Sequence, residues 1–565
     1  MRWSQRDKPD SAWVDALHEA FNQDPTKPLD RKFSRLLVSR GIKTYADALT
    51  FFKPEINQLH DPFLMKDMDR AVSRIKQGIA AGERILIFGD YDVDGTTAVA
   101  LVYSYLEKQG VEVSYYIPDR YLEGYGLSYQ GIQFASDNDF SLIIALDCGV
   151  KSIEEVDFAN SLGVDMVICD HHTPGDELPN AIAVLDPKRL DCPYPFKELC
   201  GCGVGFKLLQ AIETSEGRGL EYLMPLTDLV AVAIGADVVS VMGENRVLAN
   251  LGLEVITKNP RPGFKALLGQ AKRDVVSLTD LNFSLAPRIN AAGRMKQGTY
   301  AVSLMLTDNL SAAEKEAKAI EQFNIDRRST DQSVSDEALQ QIRDLGEEDR
   351  CSTVVYHPDW HKGVIGIVAS RLISSYYRPT LVFTKSGEYL AASARSVQGY
   401  DIYSAIDACA EHLIQFGGHA YAAGLSLKES SYQDFKEAFE KQVTKTLKPE
   451  HKEPEVIYDY VIEPSFISQR NFRILNRFEP FGPDNPEPVF RLNKVQLEAV
   501  RLIGSEGKHL KARCHGFDLI GFGFGEAIEH TKNKVDLLVT IGENNWNGKR
   551  QLQLQLKDLR ESQEN

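Results

Sequence analysis

Ile85-Leu86-Ile87-Phe88-Gly89-Asp90-Tyr91-Asp92-Val93-Asp94-Gly95 is the stretch on which the fold turns. A short apolar run delivers three aspartates within five positions. Strand alternation puts Asp90, Asp92 and Asp94 on one side if the chain stays extended. Carboxylates that close resist ionising together. Divalent cations relieve the repulsion, and oxygen ligands suit Mg²⁺ or Mn²⁺. A polar loop with solvated charges is the plain alternative.

The sequence beyond this stretch repeats its pattern. Apolar runs recur at Val113–Ile117, Leu142–Leu146, Val164–Cys169 and Ile182–Leu185, with helical segments such as Thr97–Gln109 and Ile153–Leu162 between them. Short apolar strands alternating with helices predict a mostly parallel sheet covered on both faces. Ligands of such sheets bind at the carboxyl ends of the strands. Asp147 closes one run, and Asp170-His171-His172 closes the next. Asp237 follows the apolar stretch from Leu223 to Val241, with Asp228 nearby as an alternative. Asp92, Asp94, Asp147, Asp237, His171 and His172 are too many ligands for one ion that keeps an open site, so two ions are expected.

At 565 residues the chain is too long for one core, and three or four domains are expected. A net charge of −16 argues against a protein coated in basic surface, but not against a locally positive channel. No apolar run is long enough to cross a bilayer, and the N-terminus shows no signal core. The eight cysteines form no disulfide framework, and Cys200-Gly201-Cys202 has the wrong spacing for a zinc knuckle. Cys148 and Cys169 read as buried thiols, and a reducing cytoplasm fits.

The chain divides into a helical region over 1–80, an α/β domain over 81–300, a connecting helix over 301–346, a second α/β domain over 347–450 and a strand-rich region over 451–565. The first region includes amphipathic stretches at Ala12–Phe21 and Tyr45–Phe52. Charged residues with helical spacing, among them Glu314, Lys315, Glu321, Arg327 and Arg328, predict a long helix over 311–344. Strands are predicted at Thr353–Tyr356 and Thr380–Phe383. Turns at Gly482-Pro483-Asp484-Asn485-Pro486 and Asn545-Trp546-Asn547-Gly548 mark a region of short strands, hence a small barrel or sandwich.

Gly89–Gly95, Leu146-Asp-Cys-Gly149 and Asp170-His-His172 resemble the DHH phosphoesterase superfamily. Within it the chain is similar to the branch that degrades single-stranded DNA from the 5′ end. The likeness extends to Ile117-Pro-Asp-Arg-Tyr-Leu-Glu-Gly-Tyr-Gly126, Ala286-Pro-Arg-Ile-Asn-Ala-Ala-Gly-Arg294, His361-Lys-Gly-Val-Ile-Gly366, Ser393-Ala-Arg-Ser396 and Gly417-Gly-His-Ala420. The resemblance implies a parallel-sheet DHH domain, a DHH-associated α/β domain and an OB-fold β-barrel. It implies two Mn²⁺ or Mg²⁺ ions on Asp92, Asp94, Asp147, His171 and Asp237, with Asp147 bridging. Asp90, Asp170 and His172 complete the catalytic set, and His172 touches the scissile phosphate. Some members carry a ligand histidine where this chain has Phe88, and Asp90 is the expected replacement.

Arginine forks suit a terminal phosphate. Arg120, Arg288 and Arg395 are the candidates, with Ser393 as hydroxyl partner; surface ion pairs are the ordinary reading. The resemblance raises Ser393 and Arg395, which match its 5′-phosphate pocket, and brings in Asn290. Gly417 and Gly418 let backbone amides approach a phosphate, and the resemblance sets His419 on the substrate. Tyr125 either stacks on a base or packs in the core. Lys508, His509, Lys511 and Arg513 form a basic cluster, and Phe481 and Trp546 are candidate stacking residues. Single-stranded DNA is the expected partner of a monomer, with single-strand-binding protein and a helicase implied by the resemblance. The rival readings are a phosphodiesterase on short oligonucleotides or cyclic dinucleotides, and a non-catalytic DNA-binding scaffold.

Overall fold

The computed structural model describes residues 1–23, 28–271, 277–546 and 549–562, without the side chains of Asn545, Trp546 and Lys549. The chain divides into two compact units. One comprises Pro9–Ile325 with Asn476–Glu487, and the other comprises Met1–Lys8, Asp326–Leu475 and Pro488–Asn565.

The first strand, β1 (Arg2–Gln5), belongs to the second unit. The first unit is built on β2 (Arg84–Gly89), β3 (Val113–Tyr116), β4 (Phe140–Leu146), β5 (Asp165–Cys169) and β6 (Ala183–Leu185). Every pairing is parallel and the order is β3-β2-β4-β5-β6. Alternation along each strand sorts its residues between two cores. Ile85, Ile87, Leu142 and Ile144 join one, while Leu86, Phe88, Ile143 and Ala145 join the other. That double burial explains why the strands read as unbroken apolar runs. Asp90, Asp147, Asp170 and Asp186 each follow a strand of this sheet directly, so four acids lie at its carboxyl edge.

The same unit is braced by Arg246, whose buried guanidinium donates to the carbonyls of Phe51, Arg477, Phe478 and Glu479 and lies 3.7 Å over the Phe51 ring. Four carbonyls and an aromatic face take the place of a counter-ion. Gly482 belongs here too: a Cβ on it would meet Val241 at 2.7 Å, and Val241 donates to the Pro483 carbonyl. The turn at 482–486, read as part of the strand-rich region, therefore packs with the first unit.

The second unit carries β7 (Thr353–Tyr356), β8 (Thr380–Ser386), β9 (Tyr389–Arg395), β10 (Gln415–His419) and β11 (Ala422–Leu427), in the order β10-β11-β9-β8-β7. Its second sheet runs β13-β14-β18-β19-β17-β16-β15, from β13 (Tyr460–Val461), β14 (Phe490–Val495), β15 (Glu498–Ile503), β16 (His509–Cys514), β17 (Phe517–Gly521), β18 (Val535–Trp546) and β19 (Lys549–Glu561). β12 (Glu455–Tyr458) pairs with β1 in parallel. The boundary between units falls within the helix Leu310–Asp344.

Two expectations need correction. The N-terminal region is not wholly helical, because Arg2–Gln5 is a strand and Trp3 is locked by a 2.6 Å bond to Asp558 and by the Arg560 guanidinium 4.0 Å over its ring. The strand-rich region is not uniformly short-stranded, since β18 and β19 have 12 and 13 residues.

Candidate metal centre

Chain extension does not carry the three aspartates onto one side. β2 ends at Gly89 and a helix begins at Val93, with Asp92 as its N-cap accepting from the Gly95 amide at 3.0 Å. Asp94 lies in the first turn of that helix, and Asp90 precedes its cap. A Cβ at Gly95 would meet the Asp90 backbone at 2.5 Å, so glycine is needed where the turn closes. The carboxylate of Asp94 is fixed by the amides of Gly201 (2.6 Å) and Cys202 (2.7 Å). The Cys-Gly-Cys stretch, rejected as a zinc motif, thus supplies two backbone donors that sequence reasoning missed.

His171 Nε2 stands 3.2 Å from Asp147, 3.6 Å from Asp237 and 3.8 Å from Asp94. Asp94, His171 and Asp237 form one group of convergent donor atoms, and Asp147, His171 and His172 form another. Asp147 holds a left-handed φ of +60° at the end of β4, a conformation few residues other than Gly, Asn and Asp accept. Gly201 lies against it: a Cβ there would meet Asp147 Oδ1 at 2.4 Å.

The electrostatics are those of an anion-rich pocket. Burial raises Asp90, Asp94 and Asp147 well above the ordinary carboxylate range, and raises Asp92 too, with the neighbouring aspartates adding to it. Burial holds His171 near a pKa of about 4, hence neutral, the form a metal ligand takes. Asp147 Oδ1, Asp237 Oδ2, His171 Nδ1 and both Asp90 oxygens are buried without a well-formed hydrogen bond among the described residues. The orphaned carboxylate oxygens among them fit a bound cation. The donors, hard oxygen with one imidazole, fit Mn²⁺ and Mg²⁺.

Asp170 does a different job. It accepts from the amides of Val150 (2.9 Å), His171 (2.7 Å) and His172 (3.1 Å) and from His172 Nδ1 (2.7 Å). Burial opposes ionisation, yet the hydrogen bond from His172, with its charge and the Val150 amide, holds Asp170 down to about 2. His172, which burial would lower, is raised to about 9 by the same partner. Its Nε2 faces the Tyr125 hydroxyl at 3.2 Å. Tyr125 is half exposed, and its phenol is pushed up by burial and by Asp147. Asp186, not singled out from sequence, is fully buried with one unpartnered oxygen, and burial raises it to about 7. Its position directly after β6 was the available signal.

Asp228 is excluded as an alternative to Asp237, because Arg261 grips both its oxygens at 2.6 Å. Phe88 is in the core, stacked 5.5 Å from Tyr116. Arg120 lies 4.8 Å over Tyr91, and Gly293 and Gly298 pack against Tyr91. Arg288 is buried, bonded to Glu321 and to the Ser284 carbonyl. Asn290 is half-buried on the helix Ala286–Met295.

In the second unit, Arg395 donates to Ser393 Oγ at 3.1 Å, and both crowd Gly366, where a Cβ would lie 2.9 Å from Ser393 and 3.0 Å from Arg395. Gly417, Gly418 and His419 lie exposed on β10. Gly417 has open space around its Cβ position, whereas Gly418 (φ +148°) is crowded by Ala422 O at 2.4 Å, so packing alone accounts for the second glycine. Lys508 is paired with Glu506 at 2.7 Å, and Asp518 lies near Lys511 and Arg513, which blunts the basic cluster. Phe481 is half-buried, and the side chain of Trp546 lies outside the described residues.

The architecture matches three family models: the DHH family N-terminal domain over residues 84–234, the DHHA1 domain over 350–445 and the RecJ OB domain over 458–558. These define a DHH-type protein with an appended OB domain. Among curated proteins, the single-stranded-DNA-specific exonuclease RecJ of Bacillus subtilis is 36% identical, covering 99% of this chain and 70% of its own. RecJ of Salmonella typhimurium is 34% identical, covering 93% and 95%. The crystal structure of RecJ from Thermus thermophilus in complex with Mn²⁺ superposes with a TM-score of 0.86 at 27% identity, covering 100% of this chain and 80% of that one. Its Mg²⁺ complex gives 0.78 at 26%, covering 100% and 79%. The chain belongs to the RecJ family of single-stranded-DNA-specific exonucleases.

Proposed function

We propose that this chain hydrolyses single-stranded DNA from its 5′ end, releasing 5′-mononucleotides, with two Mn²⁺ or Mg²⁺ ions on Asp92, Asp94, Asp147, His171 and Asp237. The observation that carries this is the set of buried, unsatisfied oxygen and nitrogen atoms converging at the carboxyl edge of the parallel sheet. Divalent ions held there supply an activated water and stabilise the charge that grows on the phosphodiester. The chain's own residues do the rest. Asp170 orients His172, which faces the scissile phosphate, and Tyr125 steadies the other side of that imidazole. Arg120 offers a guanidinium near the centre, and Asn290 faces the strand. Ser393 and Arg395 hold the terminal phosphate, with Gly417, Gly418 and His419 along the backbone path. The OB domain grips the strand further along. The domain division at 80, 300, 346 and 450 is part of this reading, as are a monomer, a cytoplasmic setting, and single-strand-binding protein and a helicase as partners.

The test is turnover of a 5′-end-labelled strand. Wild-type protein with Mn²⁺ should release mononucleotides from a long 5′-phosphorylated strand faster than it cleaves a dinucleotide, and Asp147→Ala should abolish release. Undiminished cleavage by purified Asp147→Ala refutes the metal assignment. A preference for the dinucleotide refutes the polymer substrate.

A further inference from the structure

We infer that Leu122 is a wedge against the bases of the bound strand, a reading that rests on the proposed exonuclease function. Leu122 is 80% exposed, whereas nearly every neighbour in its loop is pinned. Asp119 Oδ1 accepts from the amides of Tyr121 (2.8 Å) and Leu122 (3.1 Å). Glu123 closes the loop by accepting from the Asp119 amide (2.7 Å), the Tyr116 hydroxyl (2.9 Å) and Ser128 Oγ (2.6 Å). The Tyr121 hydroxyl donates to the Arg294 carbonyl. Gly124 and Gly126 take φ of +93° and +83° to complete the turn.

The two ends of this loop reach the metal centre. Arg120 lies 4.8 Å over the Tyr91 ring, and Tyr125 reaches His172 at 3.2 Å and the Asp147 carbonyl at 3.4 Å. Between them the fold presents an isobutyl group to solvent on a hydrogen-bonded backbone frame. Single exposed leucines are common. One held on a rigid turn, two residues from a guanidinium and three from a tyrosine at the catalytic edge, has a surface to meet. A planar base flanked by phosphate fits it: the arginine takes the anion and the leucine takes the apolar face. Apolar side chains inserted between bases unstack them. Unstacking at this point would separate the terminal nucleotides from the rest of the strand before cleavage, and it is open only to a strand that is free of its complement.

The experiment places 2-aminopurine near the 5′ end of a phosphorylated strand whose first linkages are phosphorothioates to slow cleavage, and adds Mn²⁺-loaded protein. Wild-type protein should raise the emission as the base unstacks. Leu122→Ala should bind with the increase largely lost and with KM for a long strand up about tenfold, while kcat changes less. Leu122→Met, which restores an apolar side chain, should recover both. Equal emission and equal KM in wild type and Leu122→Ala overturn the wedge and leave the exonuclease reading standing. Failure of wild-type protein to bind or cleave the strand overturns the exonuclease reading and the wedge with it.

Discussion

Asp170 is held by three amides and an imidazole, three of these bonds on one oxygen and the Val150 amide on the other. Its contribution is to aim His172 and to carry the charge opposite it. Removing that charge in Asp170→Asn should cost about 10- to 100-fold in turnover, the usual price of losing a partner that orients a ligand or catalytic group, with the far-ultraviolet spectrum unchanged. The pair also fixes a pH window in the metal-free protein. His172 is raised from 6.5 to about 9, so its stabilising effect is complete below 6.5 and is lost as pH rises through about 9. Asp170 is lowered from 3.8 to about 2, so its effect is present above 3.8 and is lost as pH falls through about 2. In EDTA, melting temperatures of wild type and Asp170→Asn should differ more at about pH 6 than at about pH 9.5. A gap that is constant across this range would count against the pair.

At the scale of elements, the helix Gly201–Ser215 shows how closely the site depends on packing. Its first residue donates to Asp94 and touches Asp147. Gly201→Ala would push a methyl against the Asp147 carboxylate, and Mn²⁺ affinity measured by calorimetry should fall about tenfold or more. Elsewhere in that unit, Arg246→Met would leave four carbonyls without their donor, and denaturant unfolding should report a loss of about 2–5 kcal/mol. The strands of the parallel sheet were legible because both faces are buried, which writes them as continuous apolar runs. The start of the helix at Val93 was not, because Asp92 reads equally as a strand residue and as a cap. Asp147, His171 and Asp237 were legible as strand-end or run-end donors. Gly201 and Cys202 were not, since they act through backbone amides that any residue type owns. The pairing of Arg288 with Glu321 was not legible either, since an arginine's type says nothing of which carboxylate it meets.

For the molecule as a whole, the acid-lined pocket couples folding, metal and pH. Burial raises Asp90, Asp92, Asp94 and Asp147, so the metal-free fold favours their protonated forms and loses stability as pH rises above the ordinary carboxylate range. Cations need the deprotonated forms. The rise in melting temperature on adding Mn²⁺ should therefore grow between about pH 5.5 and about pH 8, and binding should release protons. A pH-independent rise would contradict the raised carboxyls. The OB region and the DHHA1 region were readable from strand spacing and motif order, while the strand at Arg2–Gln5 was not, because nothing local marks a segment whose partner is so remote.

That remoteness has a consequence for biosynthesis. Trp3 and Asp558 are 555 positions apart, and β1 zips onto a strand that begins at Glu455. Ribosomes add roughly 5–20 residues per second, so the leading strand emerges and waits for most of the polypeptide before it can dock. Over that interval it is an unsealed ribbon edge, open to capture by chaperones or by another nascent chain.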